Sequence, residues 1–365
     1  MAQIGQRTHE GPATTLRRTA PSAAPLPLTV LTGFLGAGKT TLLGRLLHSR
    51  EFADTAVIVN EFGEISLDHD LVEAADETVI ELKGGCLCCA VRGDLADAVG
   101  ALFARRQSGT VPPFRRVVLE TTGLADPVPI LQTLLAEEPL TRHVRLDLVA
   151  TLFDAVNGPD TLGRHPEAVK QVAVADRLVL TKADLAAAPE DAVQALRRIN
   201  PAAPLRRADA GRLDPAFLLP GADPAAAPAE LAPWLARADA GQESRGLDAH
   251  GSHHHHHDPN RHDARVRAWC LTTERPVPAE ALALFLETLT AFRGPDLLRV
   301  KGLVDLAETP GRPVVVQGAQ HVFHPLAHLD AWPGGDRRTR LVMIARDMEE
   351  AQVAELFASI LDGFA

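Results

Sequence analysis

Residues 33–40 read Gly-Phe-Leu-Gly-Ala-Gly-Lys-Thr, and no other stretch of the chain narrows its fold so far. The pattern G-x-x-x-x-G-K-[ST] cradles phosphate only where a strand enters it and a helix leaves it. Both neighbours have the required composition. Residues 27–32, Pro-Leu-Thr-Val-Leu-Thr, are a strand-length apolar run, and residues 38–50 place Leu42, Leu43, Leu46 and Leu47 on one helical face. In that context the backbone of Gly33, Gly36, Ala37 and Gly38 turns N–H groups toward phosphate oxygens. Lys39 reaches the β and γ phosphates, and the Thr40 hydroxyl holds Mg²⁺. Thr41 follows in the helix, whose N-terminal dipole points at the same anion.

The rest of the first half fits that start. Strand candidates fall at 55–60, 78–82, 115–120, 146–153 and 177–181, with helical stretches near 91–106, 127–136, 165–174 and 190–199. Strands alternating with helices predict an α/β fold, a P-loop NTPase with a mostly parallel sheet covered by helices. Composition changes near residue 220. Residues 220–241 are dominated by Ala and Pro, and 242–263 are polar and contain seven of the fifteen histidines. We read 220–263 as a linker. Strands at 266–272, 297–304, 313–317 and 340–344 and helices at 279–291 and 348–361 then predict a smaller α+β unit. The expected organisation is a disordered tail (1–26), a nucleotide-binding domain (27–219), the linker and a C-terminal α+β domain (264–365).

Charge and cysteine usage exclude several classes. The formal net charge of −10 argues against nucleic acid as a partner, because no excess of Lys and Arg meets the phosphates. No run of ~18 apolar residues is present, so no membrane span is predicted. Arg17-Arg18 resembles a twin-Arg signal only superficially, since Pro-broken sequence follows it. Three of the four cysteines sit within four residues, at 86, 88 and 89. That clustering is wrong for a disulfide framework and suits thiolate chemistry in a reducing compartment, so a cytoplasmic location is expected.

Three further segments carry chemistry. The apolar run Val117-Val118-Leu119 ends in Glu120, where a carboxylate can orient water or Mg²⁺ near a γ-phosphate. Thr181-Lys182-Ala183-Asp184 approximates the guanine-reading Asn-Lys-x-Asp, with Thr181 in place of the Asn. Asp184 would accept hydrogen bonds from the guanine N1–H and N2–H₂ edge, a donor pair that adenine lacks. Each such charged bond is worth about 1.5–3 kcal/mol, so GTP is the expected nucleotide. In Gly84-Gly85-Cys86-Leu87-Cys88-Cys89 a plain strand would put Cys86 and Cys88 on one face and Cys89 on the other. For all three to converge the chain must turn, which the glycines permit. Three thiolates make a soft site for Zn²⁺ or Cu(I) with a fourth position open to exchange. A vicinal-thiol redox pair at Cys88-Cys89 is the competing reading.

The sequence resembles the CobW-like metallochaperone GTPases. The matching segments are residues 33–41, Asn60-Glu61-Phe62-Gly63-Glu64, residues 84–89, Glu120-Thr-Thr-Gly-Leu-Ala-Asp-Pro127 and Thr181–Asp184, in the same order, with the His-rich linker and Leu297-Leu-Arg-Val-Lys-Gly302 beyond them. The resemblance implies weak GTP hydrolysis, Zn²⁺ or Co²⁺ binding at Cys86, Cys88 and Cys89, and delivery of the metal to a metal-requiring client protein. It also implies that residues 60–64 sense the γ-phosphate, with Glu64 the candidate carboxylate for the metal. Val59 stands where some relatives carry an acid. The oligomeric state is left open, with a homodimer among the options. The alternatives within this reading are a cobalt-handling GTPase of cobalamin synthesis and a zinc buffer or sensor without a client. The water-positioning group is left open among Glu61, Glu64, Asp68 and Asp70. Imidazoles at 253–257, with His250 and His262, are expected to bind metal weakly. His321, His324 and His328 are not expected to form a site, and Cys270 is expected in the core.

Overall fold

The computed structural model describes residues 24–59, 79–81, 91–208, 212–219, 265–323, 326–333 and 335–364. The first sheet contains β1 (Leu26–Gly33), β2 (Thr55–Val59), β3 (Val79–Glu81), β4 (Arg116–Glu120), β5 (Val144–Asp154), β6 (Arg177–Thr181) and β7 (Leu205–Ala208). Its order is β3-β2-β4-β1-β5-β6-β7, and every pairing is parallel. Helices α1 (Lys39–Leu47), α2 (Val91–Ser108), α3 (Pro127–Ala136), α4 (Glu138–Thr141), α5 (Gly158–Arg164), α6 (Pro166–Ala173) and α7 (Pro189–Ile199) make the crossovers.

The strands are near-continuous apolar runs because both faces are covered. Every residue of β2 and β6 is buried. One layer of the core joins Leu28, Ile58, Leu102, Val117, Leu119 and Leu131, and the other joins Leu31, Leu42, Leu46, Val57, Val118 and Val179. Central β1 is flanked by β4 on one side and β5 on the other. Strands 2–4 therefore wind to one side of β1 and strands 5–7 to the other. The crevice at the carboxyl ends of the strands opens at that switch point, where α/β sheets bind ligands.

The sequence reading placed these strands to within one to two residues but anticipated neither β7 nor α4, each four residues long. The expected helix over 165–174 is α6, and the separate α5 before it was not anticipated. Pro166 starts a fresh N-terminus after His165, whose extended backbone ends α5.

The second sheet is antiparallel: β8 (Val266–Thr273), β9 (Leu297–Val304), β10 (Val314–Ala319), β11 (Val322–Phe323), β12 (Ala327–His328) and β13 (Thr339–Arg346), ordered β11-β10-β9-β13-β8, with β12 paired to β10. Helices α8 (Ala279–Arg293) and α9 (Glu350–Gly363) cover one face, where the rings of Phe285 and Phe357 meet at 4.8 Å. Period-2 alternation decides the rest. Leu341, Met343 and Ala345 face those helices, and Val342 and Ile344 face the first sheet's unit. The β9–β13 register shifts between Ile344 and Ala345, and this bulge puts both Leu298 and Arg299 on the side facing α6 and α7. Leu298, Ile344, Val266 and Ala268 share one apolar cluster with Val169, Val172 and Leu196. Cys270 is buried at 5 % exposure, as expected. His321 lies in an exposed turn and His328 on the short edge strand β12. Among the described residues no group of three His, Cys, Asp or Glu could hold a metal ion, and no helix is long and apolar enough to cross a membrane.

Candidate nucleotide site

The loop between β1 and α1 needs conformations that side chains oppose. Gly36 and Gly38 have φ of 75° and 87°, and a Cβ on Gly33 would lie 2.4 Å from the Leu152 carbonyl oxygen of β5. Glycine is the residue that fits all three positions. Lys39 is buried, and its Nζ donates to the carbonyl oxygens of Gly33 at 2.8 Å and Phe34 at 3.4 Å. These bonds fold the ammonium across the mouth of the loop.

A cavity of ≈ 720 Å³ opens over this loop and is lined by Leu35, Gly36, Gly38, Lys39, Thr40, Thr41, Val59, Glu120, Thr121, Thr122, Gly123, Leu124 and Lys182. Thr40 Oγ1 donates to Glu120 Oε1 at 2.8 Å, so a hydroxyl and a carboxylate from positions 80 residues apart share one spot. Two hard oxygen atoms side by side are the donor set a magnesium ion takes. Glu120 closes β4 and is buried, which contradicts a merely solvated strand-end acid.

The loop after Glu120 is pinned at several points. Thr121 Oγ1 donates to Thr32 Oγ1 at 2.8 Å, and Thr121 N to the Leu31 carbonyl at 3.0 Å. A Cβ on Gly123 would come within 2.6 Å of Leu35 N, so this loop and the phosphate loop touch backbone to backbone. Asp126 Oδ1 accepts from Val128 N at 3.0 Å and caps α3, with Pro127 at the first helical position.

Thr181 takes a role of its own in place of Asn. Its hydroxyl, six per cent exposed as a residue, donates to Ala37 O at 2.9 Å and Phe153 O at 3.2 Å, tying β6 to the phosphate loop. Lys182 adopts φ 55°, a left-handed conformation that costs a non-glycine residue about 1–3 kcal/mol. Its Nζ donates to Asp154 Oδ2 at 2.7 Å. Asp154 also accepts from Val156 N, Asn157 N and Asn157 Nδ2. Burial pushes the Asp154 carboxyl up, but the Lys182 bond and the bonds from residues 156 and 157 outweigh it and hold the group below the ordinary aspartate range. Asp184 is exposed in the turn beyond.

The structure thus lines one crevice with Gly36, Gly38, Lys39, Thr40, Thr41, Glu120 and Lys182; Gly33, Ala37 and Thr181 support the phosphate loop without lining it, and Asp184 follows two residues after Lys182. Asn60, Glu61, Glu64, Asp68, Asp70, Cys86, Cys88 and Cys89 lie outside the described residues, as do the histidines at 250–262 and His324. Sequence reasoning missed Asp154 and Gln171. Asp154 had a signal, since it closes an apolar strand as Glu120 does. Gln171 had none, because a polar residue on an amphipathic helix reads as solvent-facing.

Known proteins resemble the chain over nearly its whole length. Residues 27–207 match the model of the CobW/HypB/UreG nucleotide-binding domain, and residues 266–361 match the cobalamin synthesis protein cobW C-terminal domain. The zinc chaperone YjiA of Escherichia coli is 31 % identical over 92 % of this chain and 99 % of that protein. The zinc chaperone CobW of Pseudomonas aeruginosa is 32 % identical over 93 % of this chain and 92 % of its own. The crystal structure of Zn(II)-bound YjiA GTPase from E. coli superposes with a TM-score of 0.66 at 26 % identity, covering 93 % of this chain and 99 % of that one.

Proposed function

The chain belongs to the CobW family of P-loop GTPases, and on that premise we propose that it is a cytoplasmic zinc metallochaperone that couples GTP hydrolysis to metal transfer. The observation that carries the reading is the Cys86-x-Cys88-Cys89 segment, in a chain whose full-length relatives are named zinc chaperones. The proposed domains are 27–219 and 264–365, joined by the linker 220–263.

In this reading the backbone of residues 33–38 and Lys39 receive the β and γ phosphates. Lys39 exchanges its bonds to Gly33 and Phe34 for phosphate oxygens. The Thr40 hydroxyl and the Glu120 carboxylate would hold a magnesium ion, which when bound neutralises charge shared by the β and γ phosphates. Glu120 and the backbone of residues 121–123 face the terminal phosphate, and Thr181 fixes the phosphate loop through Ala37. Asp154 holds Lys182 in place, and Asp184 accepts from the guanine edge. Zinc is the cargo. The thiolates of Cys86, Cys88 and Cys89 bind it, and the fourth tetrahedral position goes to Glu64 or to a ligand from the client, so transfer proceeds by ligand exchange. If nucleotide and zinc affinities are coupled, the coupling is reciprocal and typically ~1–3 kcal/mol.

The test is a competitive titration of Zn²⁺ and Co²⁺ against a chromophoric chelator, with GTP-Mg²⁺ and with GDP-Mg²⁺. It uses a chain lacking residues 250–262, so that the histidines do not mask the site, and the same chain with Cys86, Cys88 and Cys89 changed to Ser. Tight zinc binding that depends on nucleotide and is lost in the Ser variant is the expected result. Affinity that ignores nucleotide, or that survives without the cysteines, overturns the transfer mechanism. A preference for Co²⁺ moves the reading to cobalt handling.

A further inference from the structure

Helix α6 touches both phosphate-facing loops from behind. At its N-cap, His165 packs its ring on Phe34 of the phosphate loop at 4.6 Å. Lys170 forms an ion pair with Asp126, at the far end of the loop that follows Glu120. Gln171 sits between them and is 1 % exposed. Its Nε2 donates to Gly123 O at 3.2 Å and to Ala125 O at 3.0 Å, and its backbone oxygen accepts from Thr151 Oγ1 of β5 at 2.6 Å. An amide nitrogen has two hydrogens, and both are committed to carbonyls of one loop.

Packing does not require this arrangement, since Ala168, Val169, Val172 and Ala173 supply the apolar contacts of α6. A buried amide is carried where its bonds fix a geometry that apolar groups would leave loose. The geometry fixed here is that of Gly123, whose backbone lies against Leu35 of the phosphate loop. We infer that Gln171 is a positioning residue for GTP hydrolysis. It sets the loop 121–125 relative to β5, so that Glu120 and the backbone of residues 122 and 123 meet the terminal phosphate, and it touches no nucleotide itself. The inference rests on the reading that this loop faces the γ-phosphate.

The experiment compares Gln171→Leu, which keeps the volume and removes both donors, with Glu120→Gln and the unmodified full chain. It measures single-turnover hydrolysis at saturating GTP, affinity for a fluorescent GDP analogue, and thermal unfolding. A displacement on the order of 1 Å in a reacting geometry costs up to about 100-fold in rate, so a fall of about tenfold or more is expected for Gln171→Leu. Affinity for GDP, which has no γ-phosphate, should change less than about twofold, as befits loss of a contact that matters in the transition state. If Gln171→Leu turns over at the full rate while Glu120→Gln is slow, the inference fails and the site reading stands. If Glu120→Gln is also unimpaired, the site reading itself fails. Equal losses of rate and GDP affinity make Gln171 a purely structural residue and overturn the inference. Should Gln171→Leu not fold, Gln171→Met takes its place with the same expectations, since its flexible apolar chain also lacks both donors.

Discussion

Changing Asp176 to Asn should break the join between the two sheets' units, by an amount the geometry bounds. Asp176 precedes β6, and its Oδ1 accepts from Arg299 Nη2 at 2.8 Å and Lys301 Nζ at 2.9 Å, both on β9. Its Oδ2 accepts from Val149 N at 2.9 Å. The Arg299 side chain is only 2 % exposed, and its Nε and Nη1 have no hydrogen-bond partner among the described residues. The guanidinium therefore leans on Asp176 for its counter-charge. Asn preserves the volume and can still accept from Val149, but it leaves a buried cation uncompensated, which costs about 3–5 kcal/mol. Arg299→Met removes the desolvated charge instead and leaves Asp176 with Lys301 and Val149, so its cost should be on the order of 1 kcal/mol. Urea denaturation at pH 7 measures both. Burial pushes the Asp176 carboxyl up, but Arg299, then Lys301, and the Val149 bond override it and hold the group far below its ordinary range. A depressed folded pKa contributes stability that is complete above the unfolded value and is lost as pH falls toward the folded one. The gap between the unmodified chain and Asp176→Asn should thus be full at pH 7 and narrower by about 1 kcal/mol at pH 3, given an unfolded value near 3.9. An Asp176→Asn change within about 1 kcal/mol of the parent, or an Arg299→Met change that costs more, would refute the argument.

Two changes at the nucleotide site have defined outcomes. Asp184→Asn loses the charged acceptor and should weaken GTP binding about 10- to 150-fold while leaving ATP binding as weak as before. Equilibrium competition between the nucleotides checks this, and unchanged GTP affinity would remove Asp184 from base reading. Gly123→Ala brings a methyl within 2.6 Å of Leu35 N, so the two loops must separate. Hydrolysis should fall by about tenfold or more, and GDP affinity should fall with it because the phosphate loop shifts too. Here the joint loss is the signature, in contrast to Gln171→Leu.

The sequence by itself determined the parts that act through a few adjacent residues. Gly33–Thr40 dictated a strand before it, a helix after it and positive φ at Gly36 and Gly38, because those constraints are local backbone sterics. Apolar runs ending in Glu120 and Thr181 were legible for the same reason, as was the alternation that produced a parallel sheet. The Cys-x-Cys-Cys segment and the order of motifs carried the family. Only the tertiary structure decided which distant groups meet. Thr40 reaches Glu120 because β1 and β4 pair in one register, Leu31 against Glu120. Thr181 reaches Ala37 across 144 positions, and Arg299 reaches Asp176 across 123, the second because Arg299 lies opposite Ile344 of β13 on the same face of β9 as Lys301. A one-residue slip in any of these pairings would point the side chain to the opposite face, and nothing near those residues in the chain records the register. Gln171 shows the limit most clearly. Its neighbours make it one polar residue on a short helix, and its place against Gly123 and Ala125 exists only once β5, α6 and the loop after β4 have packed together.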